Sequence, residues 1–328
     1  LEQVTSRAFP LLHVQRLAER WDYQSAVPVD QRMSEAVALI LEKQVDNGGF
    51  ALWNPTGEEE PWLSAYALDF LQRAREAGAD VPEFAWQRGL GWLQRMVEYP
   101  ATDDTGIMGT QAYALYVLAR AGEAHPETAR YLLDQAGKRL PSRLAAAQLG
   151  AALALMGDAE RAEQAFTLAT DPKRKAGLRD YGSSLRDLAA VVLLRSETPG
   201  DDPNLAEQVQ DLAERMAEER WLSTQEQAWL VRAANAVTGD DRPLQLSVQG
   251  AALPERSGPL VLRPAGESVS AGVELLNRGT QAAWYSAAVT GNPGPEPRVL
   301  EQGFRIRRSL LNLKGEPVDL EQVHQGDL

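Results

Sequence analysis

The chain has 328 residues, is 44% hydrophobic and carries a formal charge of −13; its length suits two domains and its apolar content suits a packed core. The acidic balance excludes a sequence-independent nucleic-acid binder, which needs a basic face. Zero cysteines exclude disulfides and thiolate metal sites within the sequence, and the three histidines, His13, His125 and His324, are too scattered to suggest a zinc site.

Residues 1–239 read as helices and residues from about 243 onward as strands. The change falls at Gly239-Asp240-Asp241-Arg242-Pro243, a run of turn residues that ends a helix. Five segments share a small-residue and leucine core: Trp62–Gly78, Gly109–Gly122, Ser142–Gly157, Ser183–Glu197 and Thr224–Gly239. Ala-Tyr-Ala-Leu at 65–68 recurs at 112–115. Between these lie one-sided segments, Pro82–Tyr99, Pro126–Leu140, Asp158–Ala169 and Asn204–Glu219, and Asp30–Val45 has the same character. Leu205, Val209, Leu212 and Met216 form one apolar stripe, and Met33, Val37, Ile40 and Gln44 fall on one line. Prolines 82 and 126 sit at helix starts, where the missing N–H costs little.

A helix that is apolar all round is buried on both sides. Alternation of such helices with amphipathic ones, about every 35–47 residues, predicts an α/α toroid of about six helix pairs. An open solenoid is the alternative. The loops 46–62, Glu98–Met108 and Thr170–Ser183 would gather at one end of the ring. No apolar run approaches the roughly 20 residues of a membrane span; Leu149–Met156 is far shorter.

From Leu244 the period becomes two. Leu246 and Val248 alternate with Gln245, Ser247 and Gln249; Val269, Ala271, Val273 and Leu275 alternate likewise, as do Phe304 and Ile306. Turn signals at Asn277-Arg278-Gly279 and Asn292-Pro293-Gly294-Pro295 separate them, so this part reads as antiparallel β-sandwich segments. The absence of an initiating methionine and the abrupt end at Gly326-Asp327-Leu328 predict a chain cut from a longer protein.

Candidates for chemistry are few. Glu58-Glu59-Glu60 and Asp103-Asp104 lie on the loop end, and some toroids are glycosidases that use two carboxylates; a solvated acidic loop is the plainer reading. His125, before Pro126, reads as a helix-terminal residue at the end of the preceding helix, and His13 as structural. Trp62 and Tyr66, one turn apart, read as core. Ser183 or Ser184 reads as a helix N-cap. No nucleotide or nucleophile-elbow fingerprint appears.

Four stretches together resemble the thioester domain of bacterial alpha-2-macroglobulins: Asp46-Asn47-Gly48-Gly49-Phe50-Ala51-Leu52-Trp53, residues 58–67, Asp180-Tyr181-Gly182-Ser183-Ser184-Leu185-Arg186-Asp187, and Arg220-Trp221-Leu222-Ser223-Thr224-Gln225-Glu226. The resemblance implies a toroid thioester domain over 1–239, the remainder of a CUB-type β domain over 240–297, and the start of a macroglobulin-like β-sandwich over 298–328. The family's thioester motif is Cys-Leu-Glu-Gln. Leu1-Glu2-Gln3 matches its last three residues, and the cysteine would immediately precede Leu1. The resemblance implies that Gln3 is the acyl half of the thioester, in a protein that traps proteases after bait cleavage and is attacked by their lysines. It implies no enzyme, no cofactor, no metal and no nucleic acid. Target proteases and a peptidoglycan synthase are the implied partners, with a periplasmic location and a lipid anchor to the inner membrane outside this chain. No histidine lies in the 98–108 loop, so amine-directed chemistry without a histidine acyl intermediate is expected.

The readings predict different ring centres. A carbohydrate-active enzyme needs carboxylates converging in an open cleft. The trapping module predicts small, apolar side chains there, with Gln3 at the rim. A passive helical scaffold predicts no special environment for Gln3.

Overall fold

The computed structural model describes residues 1–13, 27–101, 103–171, 174, 179–199, 202, 204–238, 243–253, 256–257, 260–263, 272–279, 285, 287, 309 and 311–318. Its α-helices are α1 (Glu2–Ala8), α2 (Val29–Leu41), α3 (Pro61–Glu76), α4 (Glu83–Glu98), α5 (Thr105–Arg120), α6 (Pro126–Ala136), α7 (Arg143–Leu155), α8 (Ala159–Leu168), α9 (Ser184–Glu197), α10 (Leu205–Glu218) and α11 (Thr224–Val237).

The odd-numbered helices form an inner ring. Each meets the next odd-numbered helix, and α11 returns to α1, which closes the circle. The even-numbered helices lie outside: α2 against α1 and α3, α4 against α3 and α5, α6 against α5 and α7, α8 against α7, and α10 against α9. This is an α/α toroid. The closure excludes an open solenoid.

Composition explains the layers. In α7 every residue from Leu144 to Leu153 is buried, whereas α10 buries only Leu212. An inner helix has neighbours on all sides and so needs small or apolar residues around its whole circumference; an outer helix needs only a stripe. Local signals set the ends. Side chains of Asp104, Ser142, Asp158 and Ser183 accept backbone N–H groups at the starts of α5, α7, α8 and α9. Ser223 and Glu226 form a capping box at α11. Gly78 and Gly122, both at φ 84°, follow the ends of α3 and α5 in the left-handed region that favours glycine.

Several expectations need correction. Helix α5 begins at Thr105, not Gly109, because Asp104 caps it; residues 105–108 are therefore helix rather than loop. Gln44 lies beyond α2, where it bridges to Phe50 and its amide donates to Gly48 O and Ala85 O. Met216, at the end of the α10 stripe, is 44% exposed. Pro82 is the N-cap of α4 rather than its first residue. His125 is the N-cap of α6, five residues beyond the end of α5, so it complements no C-terminal dipole.

After α11 the chain turns to strands. β1 (Pro243–Leu244) pairs antiparallel with β4 (Arg256–Ser257). β2 (Leu246–Val248) lies between β3 (Ala251–Ala252) and β5 (Leu275–Asn277), antiparallel to both. Ser247 departs from the alternation: it is buried, and its hydroxyl accepts a hydrogen bond from Arg278 Nε at 3.0 Å. Leu275 and Leu276 are both exposed. Two compact units span Leu1–Gly279 and Thr280–Leu328. The expected boundaries at 239/240 and 297/298, the strands at 269–271 and 304–306, and the Asn292–Pro295 turn lie outside the described residues, as does His324.

Candidate functional site

Helix α1 carries Gln3, and its first turn is tied down on both sides of that residue. Leu1 is buried, and its backbone nitrogen donates to Leu52 O at 2.7 Å. Thr5 Oγ1 donates to Leu1 O at 3.1 Å. Glu2 Oε1 accepts two hydroxyls, Ser6 Oγ at 2.8 Å and Thr224 Oγ1 at 2.9 Å. With that proton directed at Glu2, Ser6 Oγ in turn accepts from Tyr66 OH at 3.1 Å. Beneath this turn, Phe9 meets Tyr66 and Phe70 with ring centroids 4.9 and 5.5 Å away, and the Arg232 guanidinium lies 4.0 Å over its ring. Gln3 itself is exposed.

Three loops border this turn. The first is the 44–60 loop. Its hairpin joins Phe50 O to Glu60 N, and Trp53, next to Leu52, is 79% exposed. The second is the turn at Asp180–Ser183. Arg186, fully buried, donates to Asp180 Oδ2 at 2.7 Å and Gln225 Oε1 at 3.0 Å. Arg186 Nε lies 2.9 Å from Asp187 Oδ1 but is misdirected for a hydrogen bond, so that contact is an ion pair. Arg174 also pairs with Asp180 and with Asp187. Burial alone would raise the Asp180 carboxyl, but Arg186 and Arg174 outweigh it and hold the pKa low. This clasp supports Tyr181 at φ 53°, a conformation costly for a residue with a side chain. Partial burial, and then the charge of Glu60, push the Tyr181 phenol up, and its side chain is 47% exposed. The third loop leads into α11 and carries Trp221, which is 84% exposed.

The ring centre matches neither sequence expectation. Large rings fill it: Tyr66 stacks with Trp62 (5.3 Å) and Trp229 (6.3 Å). Charges are sealed among them. Asp69, fully buried, accepts from Arg73 Nε (2.8 Å), Arg232 Nη2 (3.0 Å) and Tyr113 OH (2.8 Å). Arg73 also donates to both oxygens of Glu197, at 2.8 and 2.9 Å, and to Tyr116 OH at 2.6 Å. Burial opposes the charged form of Asp69 and of Glu197, yet Arg73 first, with Arg232 and Arg120, holds both carboxyls at about 2. The interior is thus neither small and apolar nor an open acidic cleft. The signal for it was present as Asp69, Arg73 and Arg232 inside otherwise apolar inner-helix segments.

The other candidates have structural roles. Glu59 Oε2 accepts from Trp92 Nε1 (2.8 Å) and Asn47 Nδ2 (2.6 Å), Glu60 is the N-cap position of α3, and Asp104 caps α5. Asp103 is exposed and pairs with Arg139 at 3.3 Å. Trp62 and Tyr66 are core, and Ser183 is the N-cap of α9. Among the described residues, no cluster of His, Cys, Asp and Glu could hold a metal ion.

Comparison with known proteins bears on this geometry. No protein-family model matches the chain. The alpha-2-macroglobulin of Escherichia coli (strain K12) is 34% identical over 100% of the chain and 21% of its own length. Along its whole length the chain matches bacterial alpha-2-macroglobulin. Among solved structures, Salmonella alpha-2-macroglobulin reacted with methylamine superposes with a TM-score of 0.68 at 32% identity, over 99% of this chain and 22% of that one. Trypsin-activated alpha-2-macroglobulin from Escherichia coli gives 0.68 at 32% identity, over 84% of this chain and 19% of that one. The chain therefore spans about a fifth of the curated alpha-2-macroglobulins it matches.

Proposed function

We propose that this chain is the thioester-bearing part of a protease-trapping alpha-2-macroglobulin, in which Gln3 supplies the acyl group. One observation carries the reading: in a chain similar to alpha-2-macroglobulins from end to end, Leu1 and Glu2 are anchored while Gln3 is left exposed on the first turn of α1. A cysteine immediately before Leu1 would stand three residues from Gln3, just ahead of the N-cap of α1. Its sulfur would be joined to Gln3 Cδ. An attacking lysine nitrogen forms a bond to Cδ, the Cδ–S bond breaks, and the thiolate leaves and takes up the proton that the amine loses. The product is an amide and one free thiol. The reaction is stoichiometric, so the module is a trap rather than a catalyst.

Such an acyl group persists only where water is excluded. The exposed Trp53, Tyr181 and Trp221 give a neighbouring β domain an aromatic surface to cover. In this reading residues 1–239 are the thioester domain, 240–297 the rest of a CUB-type β domain and 298–328 the start of a macroglobulin-like domain. The proteases are trapped after they cut a bait segment, in the periplasm, beside a peptidoglycan synthase. Among the described residues no helix is long and apolar enough to cross a membrane; in this reading attachment to the inner membrane is through a lipid anchor outside this chain. A glycosidase using the loop carboxylates is disfavoured, because Glu59 is bonded to Trp92 and Asn47, Glu60 and Asp104 stand at helix N-caps and Asp103 pairs with Arg139, so they do not face one another across a cleft.

Intact mass of the full-length protein before and after methylamine tests the reading. Uptake of one methylamine, located at Gln3 by peptide mapping, with release of one thiol, is the expected result. No uptake and no new thiol would remove the covalent step.

A further inference from the structure

Glu2, the neighbour of Gln3, and the Tyr181 turn are held by the same three residues, the first turn of α11. Thr224 Oγ1 donates to Glu2 Oε1 at 2.9 Å. Gln225 Nε2 donates to Asp180 O at 3.1 Å, and its Oε1 accepts from Arg186. Glu226 accepts from Ser183 Oγ at 2.5 Å and from Ser223 N at 2.7 Å. The capping box fixes the backbone of this turn, so Thr224 has a rigid base. Its bond to Glu2 crosses the point where the ring closes.

We infer that Thr224 is a positioning residue for the Gln3 acyl group, acting through Glu2. The inference rests on the reading of Gln3 as the thioester carbonyl. Adjacent Cα atoms stand about 3.8 Å apart at fixed separation, so a shift of Glu2 is passed directly to Gln3. A hydroxyl bonded to a carboxylate is among the stronger hydrogen bonds. Ser6, the second donor, belongs to α1 itself and would move with it. Among the described residues, the Thr224 bond is the one direct bond from the Glu2 carboxylate to another helix. Because Gln225 and Glu226 bond Asp180 and Ser183 on either side of Tyr181 from the same turn, the acyl turn and the Tyr181 turn share one frame. Loss of the Thr224 hydroxyl frees the acyl turn from that frame and opens the thioester to water.

The test uses the full-length protein. The rate of spontaneous thiol release in buffer without amine is compared for the unsubstituted protein, Thr224→Val and Thr224→Ser. Thr224→Val is expected to release thiol about tenfold faster, whereas Thr224→Ser, which keeps the donor, stays within about twofold. A merely structural bond would lower the unfolding midpoint and leave the thiol lifetime unchanged. If valine is not accommodated, Thr224→Ala removes the same hydroxyl and is read instead. A live thioester with an unchanged lifetime in the hydroxyl-free variant overturns the inference, and so does a serine variant as fast as it. Failure of the underlying reading looks different: the unsubstituted protein itself takes up no methylamine.

Discussion

Replacing Arg73 with methionine is expected to lower the unfolding free energy by about 3–5 kcal/mol, the usual cost of removing one partner from a buried ion pair. Arg73 is 8% exposed and, among the described residues, is the one that bonds both Asp69 and Glu197, at 2.8 Å to the first and 2.8 and 2.9 Å to the second. Methionine fills similar volume, so the loss reports on charge rather than on a cavity. Urea titration of the chain at neutral pH measures it, and a loss under about 1 kcal/mol would show that Arg232 and Arg120 suffice alone. The pH dependence has a definite sign. Both carboxyls are held at about 2, below their ordinary values of 3.8 and 4.5. Their contribution is therefore complete above about pH 4.5 and is lost as pH falls toward 2. In Arg73→Met, burial is opposed less, the folded pKa values rise, and the slope in that window flattens or reverses.

Gly182→Ala is expected to cost about 3 kcal/mol, in the range of severe overpacking. A Cβ there would lie 1.7 Å from Arg186 Nη2 and 2.1 Å from its Cζ. The guanidinium cannot retreat. It is fully buried, bonded to Asp180 and Gln225, and stacked 5.1 Å over Trp62. Either the Tyr181 turn moves or Arg186 leaves its carboxylates. Gly91→Ala in α4 is the control, since its nearest contact is Arg95 Nη1 at an ordinary 3.4 Å; it is expected to be neutral or stabilising by about 0.5–1 kcal/mol. Equal unfolding midpoints for the two variants would show that the Arg186 clasp is looser than described.

The helices were largely legible because their signals are local. Small and leucine-rich segments ending at glycine mark the inner ring, Ser183 is the cap that was expected, and Ser142 and Asp158, read as segment starts, also cap their helices. Asp104 was hidden in what reads as an acidic loop, so the start of α5 was displaced by four residues. At the ring centre the charged residues stood out inside apolar segments, but their pairing was illegible. Asp69 and Arg232 are separated by 163 positions, and no periodicity links them. The Ser247 hydroxyl was missed likewise, because its partner Arg278 comes from beyond the strand. The resemblance singled out Leu1-Glu2-Gln3 and the stretches at 180–187 and 220–226. It did not show that Thr224, Gln225 and Glu226 tie the other two together, which only the closed ring brings about.

The Glu2–Thr224 bond joins residues 222 positions apart, and this dictates an order of assembly. Helix α1 leaves the ribosome first yet lacks one flank until α11 has followed. At about 5–20 residues per second, that interval is roughly 10–45 s. Throughout it the turn bearing Gln3 has no Thr224 to hold it, however well α2 and α3 have formed. Closing so long a loop is slow and comes late. The turn that bears Gln3 is thus made well before the flank that holds it, and it is among the last parts of the ring to be set in place.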